Sequence, residues 1–188
     1  MSDPENPLEL AFHKSRALLT SGRFRHLFIG GLAVLAGGEP RMTRDVDLIL
    51  FLPRGRLLDF LDLAARRGFE VHRRRALADA KERGACSIGF GAVPVDIILA
   101  STDLEESAWI RRRRAKLFGR VANVPSAEDL ILLKIIPGRP RDLEDARSIA
   151  LSAGARLDRR YLRTWTERLC DRAEDMRMLR DMERLGIL

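Results

Sequence analysis

Asp45 and Asp47 stand two apart at the head of the apolar run Val46-Asp47-Leu48-Ile49-Leu50-Phe51. Side chains two apart on a strand share a face, so this spacing predicts two carboxylates aimed the same way. Such a pair repels unless a cation lies between its members. Hard oxygen ligands suit Mg²⁺ (or Mn²⁺), and Mg²⁺ bound by few carboxylates usually holds substrate phosphates as well. A third acid, Asp96, interrupts the apolar run Val93-Pro94-Val95-Asp96-Ile97-Ile98-Leu99. Burying it unpaired would be costly. Either it is capped or ion-paired, or its strand lies beside the first and completes a three-carboxylate metal site. Gly30-Gly31, upstream, favours the second reading. The pair follows an apolar stretch and precedes a helical one, a place where backbone N–H groups can receive a phosphate with no Cβ in the way. A bare glycine pair is also a common tight turn, and neither the dinucleotide fingerprint nor a P-loop is spelled out here.

The elements that must position these groups follow from apolar periodicity. It predicts a helix over 8–19, a strand over 26–29 and a short helix over 32–36 closed by Gly37-Gly38. A strand over 45–51 and a helix from Pro53 to about 67 come next. Residues 69–72 read as a strand and 76–83 as a polar helix. A hairpin pairs 86–90 with 93–99 around Gly91-Ala92, a short helix covers 103–109, and 116–118 and 120–124 are extended. From Pro125 onward the pattern is helical, with helices over 130–136, 141–151, 161–170 and 176–185. The expected fold class is α/β (α+β): a mixed sheet flanked by helices, with a helical C-terminal part. Residues 1–125 would form the catalytic core, with 126–188 packed on it.

The chain has 188 residues and a formal net charge of +7. All but four of its 34 Lys and Arg residues are arginine. Arginine favours bidentate contact with phosphate and carboxylate, although solvated helix faces account for such a bias more simply. The runs Arg73–Arg75 and Arg111–Arg114 read first as solvated faces; flanking a cleft, they could steer tRNA or another polyanion. Cys86 and Cys170 are far apart, and His13, His26 and His72 form no zinc pattern. Reduced cysteines, a polar start without a secretory core and no apolar run of membrane length lead us to expect a cytoplasmic protein, not a membrane one. The stripe Tyr161, Leu162, Trp165 and Leu169 reads as core or dimer contact.

Taken in order, Gly30-Gly31, Asp45-Val46-Asp47 and Asp96 resemble the nucleotidyltransferase fold of the DNA polymerase β superfamily. Arg41-Met42-Thr43-Arg44-Asp45-Val46-Asp47-Leu48 is similar, more narrowly, to the AbiEii-like branch, often toxins of type IV toxin–antitoxin pairs. Later elements agree: Ser126-Ala127-Glu128-Asp129-Leu130 leading to Lys134, then Arg141-Asp142-Leu143-Glu144-Asp145. The resemblance implies that Asp45, Asp47 and Asp96 bind Mg²⁺ and carry catalysis. It implies that Gly30 and Gly31 cradle an NTP (ATP among the candidates), with Arg41 and Thr43 near the phosphates and Lys134 and Arg139 or Arg141 neutralising them. Asp142 would be a base or support the site from behind. Lys134 read on its own either reaches phosphate or snorkels its head into water. Asp145 could pair with Arg141 at i, i+4. The implied activity is nucleotide transfer to an RNA (tRNA) or protein acceptor, with a cognate antitoxin as a further partner. The rival expectation is a catalytically silent nucleotide- or partner-binding member. Many family members carry Gly-Ser where this chain has Gly-Gly.

Overall fold

A computed structural model describes residues 6–37, 42–53 and 55–188. Arg41 and Gly38, both singled out above, lie outside them. Helix α1 (Pro7–Ser21) opens on Asn6, whose side chain accepts from Leu8 N–H, with proline at the first helical position. Strand β1 (Arg25–Phe28) leads into α2 (Gly30–Ala36). Then follow β2 (Val46–Phe51), α3 (Leu57–Arg66), α4 (Arg73–Arg83), β3 (Ala85–Phe90) and β4 (Val93–Leu99). The chain continues through α5 (Asp103–Ile110), β5 (Arg113–Leu117), β6 (Arg120–Val124), α6 (Ala127–Ile135), α7 (Pro140–Ala153), α8 (Arg159–Ala173) and α9 (Arg177–Arg184).

The main sheet has the order β1-β2-β4-β3. β2 pairs antiparallel with β1 and parallel with β4, and β3 is antiparallel to β4. The fold is the expected mixed α+β one. Central β2 is apolar on both faces because both are covered. Leu48 and Leu50, with Val95 and Ile97 of β4, face a large core shared with Phe12 of α1, Phe60 and Leu61 of α3, and residues of the C-terminal helices. Ile49 and Phe51 face the other way, with Leu27 and Ile29, onto Ala108 and Trp109 of α5. A second, two-stranded sheet pairs β5 with β6.

Several expected boundaries move for local reasons. Asp45 lies in a bend just outside β2 rather than on the strand. The helix after Pro53 starts only at Leu57. Residues 69–72 contribute a single bridge, Glu70 to Gly89, rather than a strand. α4 absorbs the arginine run at 73–75, because Arg73 bonds Asp62 and Arg75 and Arg83 both reach Asp79. The 111–114 run splits: Arg111 turns inward, Arg112 lies over the Trp109 ring, and Arg113 and Arg114 open β5. The stripe on α8 is core in part, with Leu162 and Trp165 buried.

Candidate active site

The register of the parallel pair decides where the acids meet. Asp47 of β2 lies directly opposite Asp96 of β4, and Ser87 of β3 opposes Asp96 in turn. Partners in register point to one face of the sheet. Asp45, although off the strand, is brought to the same place by Thr43, whose hydroxyl donates to its Oδ1 at 2.6 Å. Asp45, Asp47 and Asp96 each offer a carboxylate oxygen to a group whose members all lie within 4.8 Å of one another. None of the three is buried. Three hard oxygen donors converging at an accessible sheet end fit a divalent cation with room left for phosphate and water.

Gly30 and Gly31 form the first turn of α2 against this cluster. Gly30 has φ +61°, and a Cβ there would sit 1.8 Å from Asp47 Oδ2. A Cβ on Gly31 would sit 2.5 Å from both Cβ and Oγ1 of Thr43. The two residues that glycine permits to approach are thus the ones that build the acid cluster. A serine in place of Gly31 would have to displace Thr43 here. Ile29 N–H donates to the Asp47 carbonyl at 2.9 Å, which fixes the turn to β2.

The residues expected on the helical side are placed differently from one another. Lys134 does not snorkel into water. It is buried, with Nζ 2.9 Å from Asp142 Oδ1 and 2.8 Å from Asp145 Oδ2. Two carboxylates on α7 take up the charge that was expected to be free for phosphate or solvent, and Asp145 spends an oxygen on Lys134. Asp142 is accordingly a partner of Lys134. Arg141, on the exposed side of the same turn, donates from Nη2 to the Met42 carbonyl at 2.9 Å. It ties the start of α7 to the segment that delivers Thr43 and Asp45. The turn before α7 is fastened by Arg177, which donates to the carbonyls of Ile135 at 3.3 Å and Ile136 at 2.8 Å and passes over Gly138.

From Asp96 a cleft of about 760 Å³ extends over the exposed face of β3 and β4 toward α4. Its walls carry Ser87, Pro94 and Ile98, Glu70, the Asp79 ion pairs with Arg75 and Arg83, and Arg139. The sequence did not signal the α4 contribution, since α4 is polar all round. The Thr43-to-Asp45 bond was open to inspection as a hydroxyl two residues before an acid.

Behind the site, α5, α6 and α8 share a polar knot. Asp129, fully buried, accepts from Ser126 Oγ at 2.7 Å, from Arg111 Nε at 3.2 Å and from the Tyr161 hydroxyl. Burial and the hydrogen bond to Asp129 push the Tyr161 hydroxyl well above its ordinary pKa. Arg111 also bonds Glu128 at 2.9 Å and lies over the Tyr161 ring. Burial likewise pushes the Cys86 thiol up to about 11, with help from Asp79 and Asp96, so it is no nucleophile at neutral pH.

Solved structures share this fold. The antibiotic-resistance factor ANT(2'')-Ia in solution superposes with a TM-score of 0.61 at 16% identity, over 88% of this chain and 95% of that one. The chain has the nucleotidyltransferase fold. A crystal structure of ANT(2'')-Ia with adenylyl-2''-tobramycin matches with a TM-score of 0.56 at 18% identity, over 79% and 90%. The lincomycin-bound lincosamide adenylyltransferase LnuA matches with a TM-score of 0.52 at 15% identity, over 77% and 98%. No protein-family model and no curated protein sequence matches the chain. Among the described residues of this nucleotidyltransferase fold, no helix is long and apolar enough to cross a membrane.

Proposed function

We propose that the protein is a divalent-metal-dependent nucleotidyltransferase that moves a nucleoside monophosphate from an NTP to the hydroxyl of a small acceptor. The observation that carries this reading is the convergence of Asp45, Asp47 and Asp96 within 4.8 Å at the first turn of α2. Asp45, Asp47 and Asp96 would hold Mg²⁺, which when bound supplies charge neutralisation of the triphosphate and of the attacking and leaving oxygens. Backbone N–H groups of the Gly30–Gly31 turn face the phosphates. An acceptor in the cleft would present its hydroxyl to Asp96, whose carboxylate takes the hydroxyl proton. The acceptor oxygen bonds to Pα, the bond from Pα to the bridging oxygen breaks, and pyrophosphate leaves. Lys134, held by Asp142 and Asp145, sets the position of α7, while Arg141 holds the Met42 carbonyl and hence the approach of Asp45.

A small acceptor is favoured by the cleft, whose 760 Å³ matches drug-sized ligands. ANT(2'')-Ia in complex with adenylyl-2''-tobramycin and lincomycin-bound LnuA hold compounds of that size. The test is incubation with α-labelled NTPs and Mg²⁺ or Mn²⁺ alongside an aminoglycoside, a lincosamide, tRNA and protein, with Asp47→Ala as control. Metal-dependent label on a small hydroxyl compound supports the proposal. Label on tRNA or protein alone would overturn the acceptor class, and the absence of both label and metal-dependent NTP binding would overturn the enzyme reading.

A further inference from the structure

A second cavity, of about 500 Å³, opens between α2, β5, α6 and α7. Its rim carries Arg113, Arg114, Lys116 and Arg156, all exposed. Among the described residues, none of these four is in an ion pair; Arg156 donates only to the Ala153 and Ser152 carbonyls, at 3.4 and 3.3 Å. That separates them from Arg73, Arg75, Arg83 and Arg111, which acids neutralise. Glu128 lines the same cavity, but its oxygens serve Arg111 and the Asp158 N–H.

The floor is apolar and aliphatic: Ala33 and Val34 of α2, Ala127 and Leu130 of α6, Ile149 of α7. Among the described residues β5 pairs with β6 alone. A cationic rim over an apolar floor recognises an anion attached to an apolar body. Arginine forks suit phosphate oxygens, and an aliphatic floor suits the less polar body that carries the phosphate.

The location excludes the catalytic centre. Gly30–Gly31 begin α2 and Arg141 begins α7 beside the acids, whereas the cavity touches Ala36 and Gly37 at the end of α2 and Ser152 and Ala153 at the end of α7. Arg141 and Ser152 are separated by about 16 Å along the helix at ~1.5 Å per residue.

We propose that this cavity is a second ligand site, for a small phosphorylated molecule whose body rests on the aliphatic floor, with a nucleoside monophosphate as the probe. Its volume fits such a compound, and it lacks the exposed aromatic platforms on which successive bases of an RNA strand stack.

The experiment is titration calorimetry on an Asp45→Asn/Asp47→Asn chain in EDTA, which removes metal-dependent binding at the acid cluster. The probes are AMP, adenosine, inorganic phosphate and a single-stranded RNA octamer. Expected are measurable binding of AMP, at least about tenfold weaker binding of adenosine and of phosphate alone, and at least about tenfold loss of AMP affinity in Lys116→Gln/Arg156→Gln. Lys116→Arg, which keeps the charge, should retain binding. Three results would each overturn the proposal: no heat with AMP, equal AMP affinity in the Gln variant, or RNA bound more tightly than AMP. Failure of this test leaves the nucleotidyl-transfer reading untouched, because the acid cluster is disabled throughout.

Discussion

Gly30 and the carboxylate of Asp47 occupy one shared space: a methyl group on the glycine would stand 1.8 Å from Oδ2. The turn that would receive phosphate and the ligand that would hold the metal are therefore a single packing unit. Gly30→Ala is expected to destabilise the fold by about 1–3 kcal/mol, from backbone strain at positive φ and from the clash. It should also weaken Mn²⁺-dependent NTP binding by at least about tenfold, because Asp47 must move. Gly84→Ala is the matched control, with φ +66° and nothing within 4 Å of the new methyl. It should show the strain in urea unfolding and leave nucleotide binding intact.

Asp47→Asn and Asp96→Asn keep side-chain volume and remove charge from facing positions in the β2–β4 register. Each should lower metal-dependent transfer by at least about 100-fold, with unchanged far-UV circular dichroism. A variant retaining more than a tenth of wild-type turnover would show that the cluster is not the catalytic one.

Lys134 sits between Asp142 and Asp145 with only 10% of its side chain exposed. Lys134→Met would remove the cation that lies between these two carboxylates. A loss of about 3 kcal/mol is expected in equilibrium unfolding. Adding Asp142→Asn and Asp145→Asn to that variant should recover part of the loss, because the stranded charges go with them.

How much of this was legible beforehand depended on how local each signal was. The apolar runs around Asp47 and Asp96 announce buried strands, and burial of an acid in such a run demands a partner, so the cluster could be anticipated. Asp45 was expected in the group by strand alternation and reaches it by another route: it lies off the strand, and the Thr43 hydroxyl holds it there. Lys134 was left between phosphate and solvent because its two partners lie on the next helix, and the α6–α7 packing angle is not written in α6. Arg111 looked like one of four equivalent charges in a run. Its inward turn follows from Glu128, Asp129 and Tyr161, residues that only tertiary packing brings near.

His26 gives the fold an acid-sensitive element. Burial lowers its pKa below 6.5, opposed by the hydrogen bond from Nδ1 to the Phe24 carbonyl at 2.8 Å and reinforced by Arg16. Below about pH 6.5 the unfolded chain takes up a proton that the folded chain refuses until a lower pH. Stability therefore falls as pH drops from about 6.5 toward the folded value and then levels off for this residue. Thermal melts of His26→Gln between pH 7.5 and 5 should show a shallower acid slope than wild type. An identical slope would place the acid sensitivity elsewhere.

The parallel pairing of β2 with β4 has a kinetic side. Parallel neighbours cannot be joined by a tight turn, and the chain between Asp47 and Asp96 passes through α3, α4 and β3 before it returns. Contacts so distant in sequence close late, after local helices and hairpins have formed. A collapsed intermediate holding β1, α2 and β2 would own Asp45 and Asp47 and still lack the third acid. During refolding, metal affinity should rise only in the slowest phase, so that ion binding keeps time for the last strand to arrive.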